Sequence, residues 1–251
     1  MWLTRLMLSK KNKQVCRDLS DCYQLHRTVM SMFPNAGGSN PREKLGVLYR
    51  YEPQEGVCDE LLVQSIEKPD TSHLPSGYLY AGTIPAVSYT DISKALKRIQ
   101  VGVTLRFKIR ANPTKRANSV ASYAERKQNR KENNGIRYPI REEQQLIEWL
   151  TRKGLQHGFE LLSVAFVETG EKRGLISDKK AITISKVKPV TSDAVVEDRQ
   201  ATKHASIKFN NVIFEGYLKV IDLEKFHESI KSGIGTEKSF GFGMLSFAFV
   251  K

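Results

Sequence analysis

Cysteine is scarce in this sequence, with Cys16, Cys22 and Cys58 the only three among 251 residues. An odd number of cysteines without a CxxC pair argues against a disulfide framework and against a cysteine-based zinc site. There are only five histidines, and no HxH, HExxH or acidic cluster has the spacing of metal ligands. We therefore expect free thiols, a reducing cytoplasmic location, no metal and no other cofactor.

Long hydrophobic runs are also missing. No window approaches the roughly 18 uncharged apolar residues that a membrane helix needs. The N-terminal segment MWLTRLMLSKK has neither a basic region before its apolar residues nor a small-residue cleavage site, so it does not resemble a signal peptide. It is typical instead of a first β-strand. We expect no association with a membrane, because the basic stretches lack an interleaved apolar face.

Acidic residues are outnumbered, with 27 Asp and Glu against 40 Lys and Arg, and the formal net charge is +13. Such an excess of positive charge indicates a polyanionic partner, and nucleic acid is the partner that we favour. The charge is concentrated in two segments. Residues 113–141 carry eight basic and two acidic side chains, and residues 171–190 carry six basic and two acidic ones. The first segment reads as a loop or linker, and the second as a strand or hairpin.

The order of predicted elements indicates two similar units. Residues 1–112 predict a strand at 2–8, a helix at 17–33, strands at 45–52 and 60–66, a helix at 91–99 and a strand at 102–111. Residues 141–251 predict a helix at 142–157, strands at 160–168, 181–187 and 205–221, a helix at 223–231 and a last strand at 244–250. This βαββαβ order predicts an α+β protein of two tandem ferredoxin-like, or RRM-like, domains. They are joined by a basic linker at 113–140, and the first strand of the second domain is poorly marked.

A glycine-rich segment near the C-terminus is the strongest local signal. Gly233, Gly235, Gly241 and Gly243 lie between the last predicted helix and strand. Glycines allow backbone amides to approach a phosphate closely, but they also serve tight turns that need a positive φ. A Walker A loop is excluded because positions 232 and 237 before Lys238-Ser239 are not glycine, and a Rossmann fingerprint because the segment leads into a strand instead of opening a helix. The stretch from Lys238 imitates part of an RNP1 motif, although at the wrong place in an RRM.

A second signal lies on the first predicted helix, where Tyr23 and His26 are three residues apart and share one face. Histidine can exchange protons near neutral pH, and the 2′-hydroxyl of RNA is a nucleophile that needs only deprotonation and alignment. The alternative is a structural histidine at the edge of the core. The other four histidines read as structural or exposed to solvent.

Five segments in the same order and spacing resemble the CasE family, the CRISPR RNA-processing endoribonucleases of the type I-E Cascade complex. They are MWLTRL at the N-terminus, YQLHR at 23–27, RANPTKR at 110–116, VIFEGYLKV at 212–220 and GIGTEKSFGFGMLSF at 233–247. The resemblance implies tandem ferredoxin-like domains that cut CRISPR repeat RNA at the 3′ base of its stem-loop without a metal. The 2′-hydroxyl attacks the adjacent phosphate, leaving a cyclic phosphate and a 5′-hydroxyl, and the protein stays on the product crRNA with the other Cascade subunits.

The same resemblance implies site residues. His26 corresponds to the catalytic histidine and Tyr23 to the active-site tyrosine, while no lysine appears where family members have one, so Arg27 is the candidate for stabilising the phosphate. The Gly-rich loop is expected near the active site. Basic residues expected to bind the RNA stem are Lys115, Arg116, Arg126, Lys127, Arg130, Lys131, Arg137, Arg141, Lys179, Lys180, Lys186, Lys188 and Lys238.

Two alternatives remain open at this point. The first is a non-catalytic RNA-hairpin-binding subunit of the same fold, which would bind tightly and yield no cyclic phosphate. The second is a basic scaffold that contacts RNA only through phosphates and so binds any RNA of equal length with a steep salt dependence.

Overall fold

The computed structural model describes residues 1–34, 37–116, 137–167, 173–174, 185–186 and 211–250. Its first sheet has four antiparallel strands in the order β2-β3-β1-β4. These strands are β1 (Trp2–Ser9), β2 (Leu48–Glu52), β3 (Cys58–Ser65) and β4 (Val87–Asp91). Read from β4, the order 4-1-3-2 is that of a ferredoxin-like sheet.

Three helices follow β1: α1 (Lys13–Ser20), α2 (Cys22–Ser31) and the short α3 (Pro41–Lys44). Leu25 and Val29 of α2 pack into a core with Leu6 of β1, Tyr49 of β2 and Val63 of β3. The spacing of apolar residues along α2 therefore decides which side of this helix is buried. The opposite side is left to carry the polar residues of the site.

The structure corrects the prediction of one helix over residues 17–33. The chain leaves α1 at Asp21, whose backbone is extended with φ −134° and ψ 105°, and α2 starts at the next residue. The Asp21 side chain accepts a hydrogen bond from the Tyr23 amide at 2.9 Å. This is an N-cap, which supplies an acceptor to a backbone donor that has no partner in the helix. Asp21 therefore begins a second helix instead of continuing the first.

The second sheet is also antiparallel, and its order is β12-β5-β11-β8-β9 with β10 beside β11. Helices α5 (Glu143–Gln156) and α6 (Leu223–Ser232) pack on it. The strands are β5 (Thr104–Ala111), β8 (Phe159–Val167), β9 (Arg173–Gly174), β10 (Ser185–Lys186), β11 (Val212–Val220) and β12 (Leu245–Phe249). The four main strands repeat the 4-1-3-2 order, so the predicted fold of two tandem ferredoxin-like units is confirmed.

One strand was predicted in the wrong unit. The strand found at Thr104–Ala111 was expected to close the first sheet, but it pairs with β11 and β12 and is the first strand of the second sheet. The first sheet is closed instead by β4, which the sequence pattern missed. The predicted helix over 91–99 is the short α4 (Ser93–Lys97), which follows β4 and leads into the second unit. The chain thus passes from the first sheet to the second between residues 91 and 104, ahead of the predicted domain boundary at 112.

The physical reason is that alternation identifies a strand but not its partner. In β5, Leu105, Phe107 and Ile109 are buried against the helices of the second unit. Every second residue of any half-buried strand would show the same pattern. Residues predicted as a basic linker contribute a small ladder of their own, in which β6 (Thr114–Arg116) pairs with β7 (Arg137–Pro139).

A buried arginine joins the two sheets. Arg50 of β2 is only 3% exposed, and its Nη1 donates to Ser246 Oγ at 2.9 Å and to the Lys108 and Met244 carbonyls at 3.3 Å. Its Nε pairs with Glu52 at 2.5 Å, and Glu52 also accepts from Lys108 Nζ at 2.9 Å. These contacts place β2 against the edge of the second sheet, and with it the loop between α6 and β12.

Candidate active site

Helix α2 presents Tyr23 and His26 on its polar side, as the spacing predicted. The Tyr23 side chain is 57% exposed, and His26 is half-buried. Arg27 is exposed on the same helix. A phenol and an imidazole are thus held by one rigid element, a more precise support for chemistry than a loop.

The two ring nitrogens of His26 differ in their surroundings. Nδ1 is buried and has no hydrogen-bond partner among the residues that the structure describes, whereas Nε2 is not among the buried atoms that lack a partner. Burial lowers the pKa of His26 from its usual 6.5, and the positive charge of Arg42 lowers this pKa further. The lowered pKa favours the neutral imidazole near pH 7, the form that can accept a proton.

The glycine-rich segment lies against α2. A 3₁₀ turn at Lys238–Phe240 packs on α2 and β2, and the Tyr49 hydroxyl donates to the Ser239 carbonyl at 2.5 Å. The expected proximity of the Gly-rich loop to the helix that carries Tyr23 and His26 is thus found in the structure.

Backbone geometry accounts for all four glycines, since each has a positive φ. Gly243 has φ 86°, and a Cβ there would lie 2.6 Å from the Ile234 carbonyl oxygen. Its amide donates to the Arg110 carbonyl at 2.7 Å, and the amide of Gly233 donates to the Ser229 carbonyl at 2.9 Å. These two amides hold the loop in shape. Phosphate contacts therefore remain a prediction for Gly235 and Gly241 only.

Five cationic side chains from α3, the glycine-rich segment, α5 and β7 are linked by the effects of their charges on one another. We define them as the cationic band: Arg42, Lys238, Lys153, Arg152 and Arg137. Burial lowers the pKa of Lys238 and of Lys153, and charges within the band lower both further. The pKa of His157, at the end of α5, is lowered by burial and then by Lys153 and Lys238. The positive charge of each of these neighbours thus disfavours the protonated form of Lys238 or Lys153.

A cleft of about 800 Å³ opens beside the band. Lys115, Arg137, Arg152 and Lys153 line it, together with Tyr138 and Trp149. Thr236 from the glycine-rich segment also lines it, and the buried Thr236 hydroxyl has no hydrogen-bond partner among the described residues. Cationic side chains next to an aromatic ring and a hydroxyl donor are suited to a polyanion with planar bases.

Sequence reasoning missed Arg42, Arg152, Lys153 and His157. Arg152 and Lys153 near the end of α5 offered no distinct signal, because cations close to a helix C-terminus are favourable without any ligand. Arg42 gave no signal, since only the packing of α3 against the neighbouring elements brings it to His26.

The predicted RNA-binding residues fall into two groups. Lys115, Arg137 and Arg141 are exposed, Lys238 is half-buried, and Arg116 and Lys186 lie on β6 and β10. The rest lie outside the described residues: Arg126, Lys127, Arg130, Lys131, Lys179, Lys180 and Lys188. Within the described ranges, no group of three or more His, Cys, Asp or Glu side chains could hold a metal ion. None of the described helices is both long and apolar enough to cross a membrane.

Comparison with known proteins shows the family of this chain. The family model described as CRISPR associated protein matches residues 1–248. The CRISPR-associated endoribonuclease Cse3 of Thermus thermophilus is 30% identical over 253 residues, covering 99% of this chain and 100% of the relative. The Cascade subunit CasE of Escherichia coli is 28% identical over 229 residues, covering 91% and 92%.

A solved structure of Cse3 bound to a 19-nucleotide RNA has 27% identity and a TM-score of 0.67, with 98% of each chain covered. Fold and sequence thus agree over almost the full length of both relatives. The chain therefore belongs to the CRISPR-associated protein family that includes Cse3 and CasE.

Proposed function

We propose that this protein is a metal-independent endoribonuclease that cuts CRISPR repeat RNA at the 3′ base of its stem-loop. One observation carries the proposal: His26, whose lowered pKa favours the neutral imidazole, shares a helix with the exposed Tyr23 beside the cationic band. The relatives named as endoribonuclease and as Cascade subunit support the choice of substrate. A cytoplasmic location stays a prediction.

The proposed reaction begins with the 2′-hydroxyl at the cut site. His26 Nε2 accepts its proton as the O2′–P bond forms, because a neutral imidazole is an acceptor. The bond from phosphorus to O5′ breaks and the leaving oxygen takes a proton from water, while the protonated His26 returns its proton to the hydroxide that forms. The products are a 2′,3′-cyclic phosphate and a 5′-hydroxyl. Tyr23 orients the 2′-hydroxyl or donates a hydrogen bond to a phosphate oxygen.

The cationic band and its cleft would hold the RNA stem. Double-stranded RNA has a deep, narrow major groove, so proteins read it mostly through its shape, phosphates and 2′-hydroxyls. Lys115 and Arg137 line the cleft from the paired strands β6 and β7, and Arg152 and Lys153 line it from α5. Binding through many phosphates would keep the product hairpin on the protein, as a Cascade subunit that carries its crRNA requires.

The test is cleavage of repeat hairpins in EDTA with protein in excess and mapped product ends. Substrates are the repeat from the same genome, a scrambled stem, and the repeat with a 2′-deoxy nucleotide at the cut site. We expect one cut at the stem base, lost in the scrambled stem and blocked by the 2′-deoxy substitution. His26→Ala should lower the rate by about 10²–10⁴-fold and change hairpin affinity only severalfold.

Other results would favour other functions. Tight binding of the repeat hairpin without any cyclic phosphate would indicate a non-catalytic RNA-binding subunit. Equal affinity for every RNA of one length would indicate a scaffold that contacts phosphates only. Full cleavage by His26→Ala would remove His26 from the active site.

A further inference from the structure

The proposed reaction needs positive charge at the phosphate, and the sequence offered only Arg27 for this task. Phosphoryl transfer places negative charge on the nonbridging oxygens, which enzymes stabilise with cations fixed in advance. Arg27 is exposed and sits one residue past His26, about 100° further round the helix. Its charge is not among those that perturb His26.

Two other cations lie at the His26 end of the cationic band. Arg42 belongs to α3 and is half-buried, with Nη1 donating to the Val47 carbonyl at 3.2 Å. Lys238 lies in the 3₁₀ turn that packs on α2. Among the described residues, neither forms an ion pair with a carboxylate, and Lys238 makes no hydrogen bond through its side chain.

This arrangement costs free energy in the unbound protein. Burial lowers the pKa of both Arg42 and Lys238. The positive charge of Arg42 lowers the pKa of the Lys238 ammonium further. The negative charges of Glu43 and Glu228 raise the pKa of Lys238, but among the described residues neither carboxylate lies within ion-pair distance of its ammonium. Partly buried cations without a counterion are typical of a site that binds an anion.

We propose that Arg42 and Lys238 together hold the nonbridging oxygens of the scissile phosphate beside His26. The guanidinium of Arg42 offers paired N–H donors, and the ammonium of Lys238 adds a point charge from the turn that packs on α2. The backbone amides of Gly233 and Gly243 could otherwise donate to the phosphate, but both already donate to backbone carbonyls. The inference rests on the proposed function and names the charge that this function needs.

The test compares single-turnover cleavage at saturating protein by wild type, Arg42→Ala, Arg42→Lys and Lys238→Ala. Loss of one fixed donor to a developing oxyanion lowers rates by about 10²–10³-fold. We expect a loss of that size for Arg42→Ala, partial recovery in Arg42→Lys, and less than about tenfold weaker hairpin binding. Lys44→Ala, on the same short helix, is the matched control and should cleave at the wild-type rate.

A sulfur substitution separates contact with the phosphate from a structural role. Sulfur at a nonbridging oxygen of the cut site accepts hydrogen bonds poorly, so one diastereomer should slow the wild type. In Arg42→Ala that penalty should largely vanish, because the donor is already missing. An unchanged penalty in both Arg42→Ala and Lys238→Ala, or wild-type rates in both, would overturn the inference.

The two proposals can fail separately. If His26→Ala abolishes cleavage while both cation variants keep the wild-type rate and sulfur penalty, only the inference on Arg42 and Lys238 is wrong. If wild type itself binds the hairpin without cutting it, the proposed function is wrong. Lys238→Ala removes no hydrogen bond seen in the structure, so it still decides the matter if Arg42→Ala proves too unstable to purify.

Discussion

Asp18 shows how single residues hold the helix that bears Tyr23 and His26. Its carboxylate is fully buried and accepts hydrogen bonds from the Thr28 hydroxyl at 2.6 Å and the Tyr78 hydroxyl at 3.0 Å. Arg17 Nη2 pairs with the other oxygen at 2.8 Å. Thr28 is two residues beyond His26, so Asp18 fixes α2 relative to α1 and to the chain after β3. Hydrogen bonds to a buried charge are among the stronger ones.

The pH response of His26 should depend on Arg42. A nearby cation disfavours the imidazolium, so the pKa of His26 lies below 6.5 and should rise when Arg42 is replaced by Ala. The acid limb of the cleavage rate should move to higher pH in the same variant. An NMR titration of the His26 ring protons measures this directly, with His73 as an internal reference far along the chain. An unmoved His26 titration would mean that the two groups do not interact.

At the scale of elements, the turns and caps shape the site more than the helices do. Asp21 divides one predicted helix into two, and the glycine-rich segment brings Lys238 onto α2. Helix α2 was predictable from its apolar spacing. The position of the turn that packs on it was expected only from the family resemblance, because it depends on where α6 and β12 lie in the second sheet.

Gly243→Ala should destabilise the loop more than Gly56→Ala does. Both glycines have positive φ, 86° and 95°, so each alanine incurs backbone strain of about 1–3 kcal/mol. Only at Gly243 would the new Cβ also meet a backbone oxygen, at 2.6 Å, whereas nothing lies within 4 Å at Gly56. Urea unfolding of both variants measures the difference. Equal losses of unfolding free energy would show that the loop at Gly243 adjusts freely.

At the scale of the whole molecule, the junction between the sheets decides how the site is assembled. His26 belongs to the first unit, whereas Lys238 and α5 belong to the second. Gln64 of β3 donates to the Ile230 carbonyl of α6 at 2.6 Å, and Arg50 reaches across to β5 and β12. The active site and the cationic band therefore exist together only while these contacts hold.

Replacing Arg50 by Met should lower the free energy of unfolding by about 3–5 kcal/mol, since breaking a buried ion pair leaves Glu52 without its closest partner. Arg106→Ala is the matched control. Arg106 lies 59% exposed and 3.7 Å from Glu215, so its loss should cost about 0–1 kcal/mol. Urea unfolding monitored by fluorescence gives both values. A loss below about 1 kcal/mol for Arg50→Met would show that the junction does not depend on this arginine.

Local patterns in the sequence were sufficient for several features of this protein. Alternating and three-to-four spaced apolar residues marked β1, β5, α2 and α6, since burial of one face requires that periodicity. The distance of three residues between Tyr23 and His26 placed them on one helix face for the same reason. Scarce cysteines and excess positive charge indicated a reduced, polyanion-binding protein before any element was assigned.

Only the tertiary structure decided which strands pair and which cations meet. Strand β5 shows the same alternation whichever sheet it joins, so its place in the second unit came from long-range packing. Arg42 and Lys238 are 196 positions apart in the sequence and become neighbours only when the loop between α6 and β12 docks on α2. Periodicity records which face of an element is buried, whereas the proximity of distant residues depends on how whole elements pack.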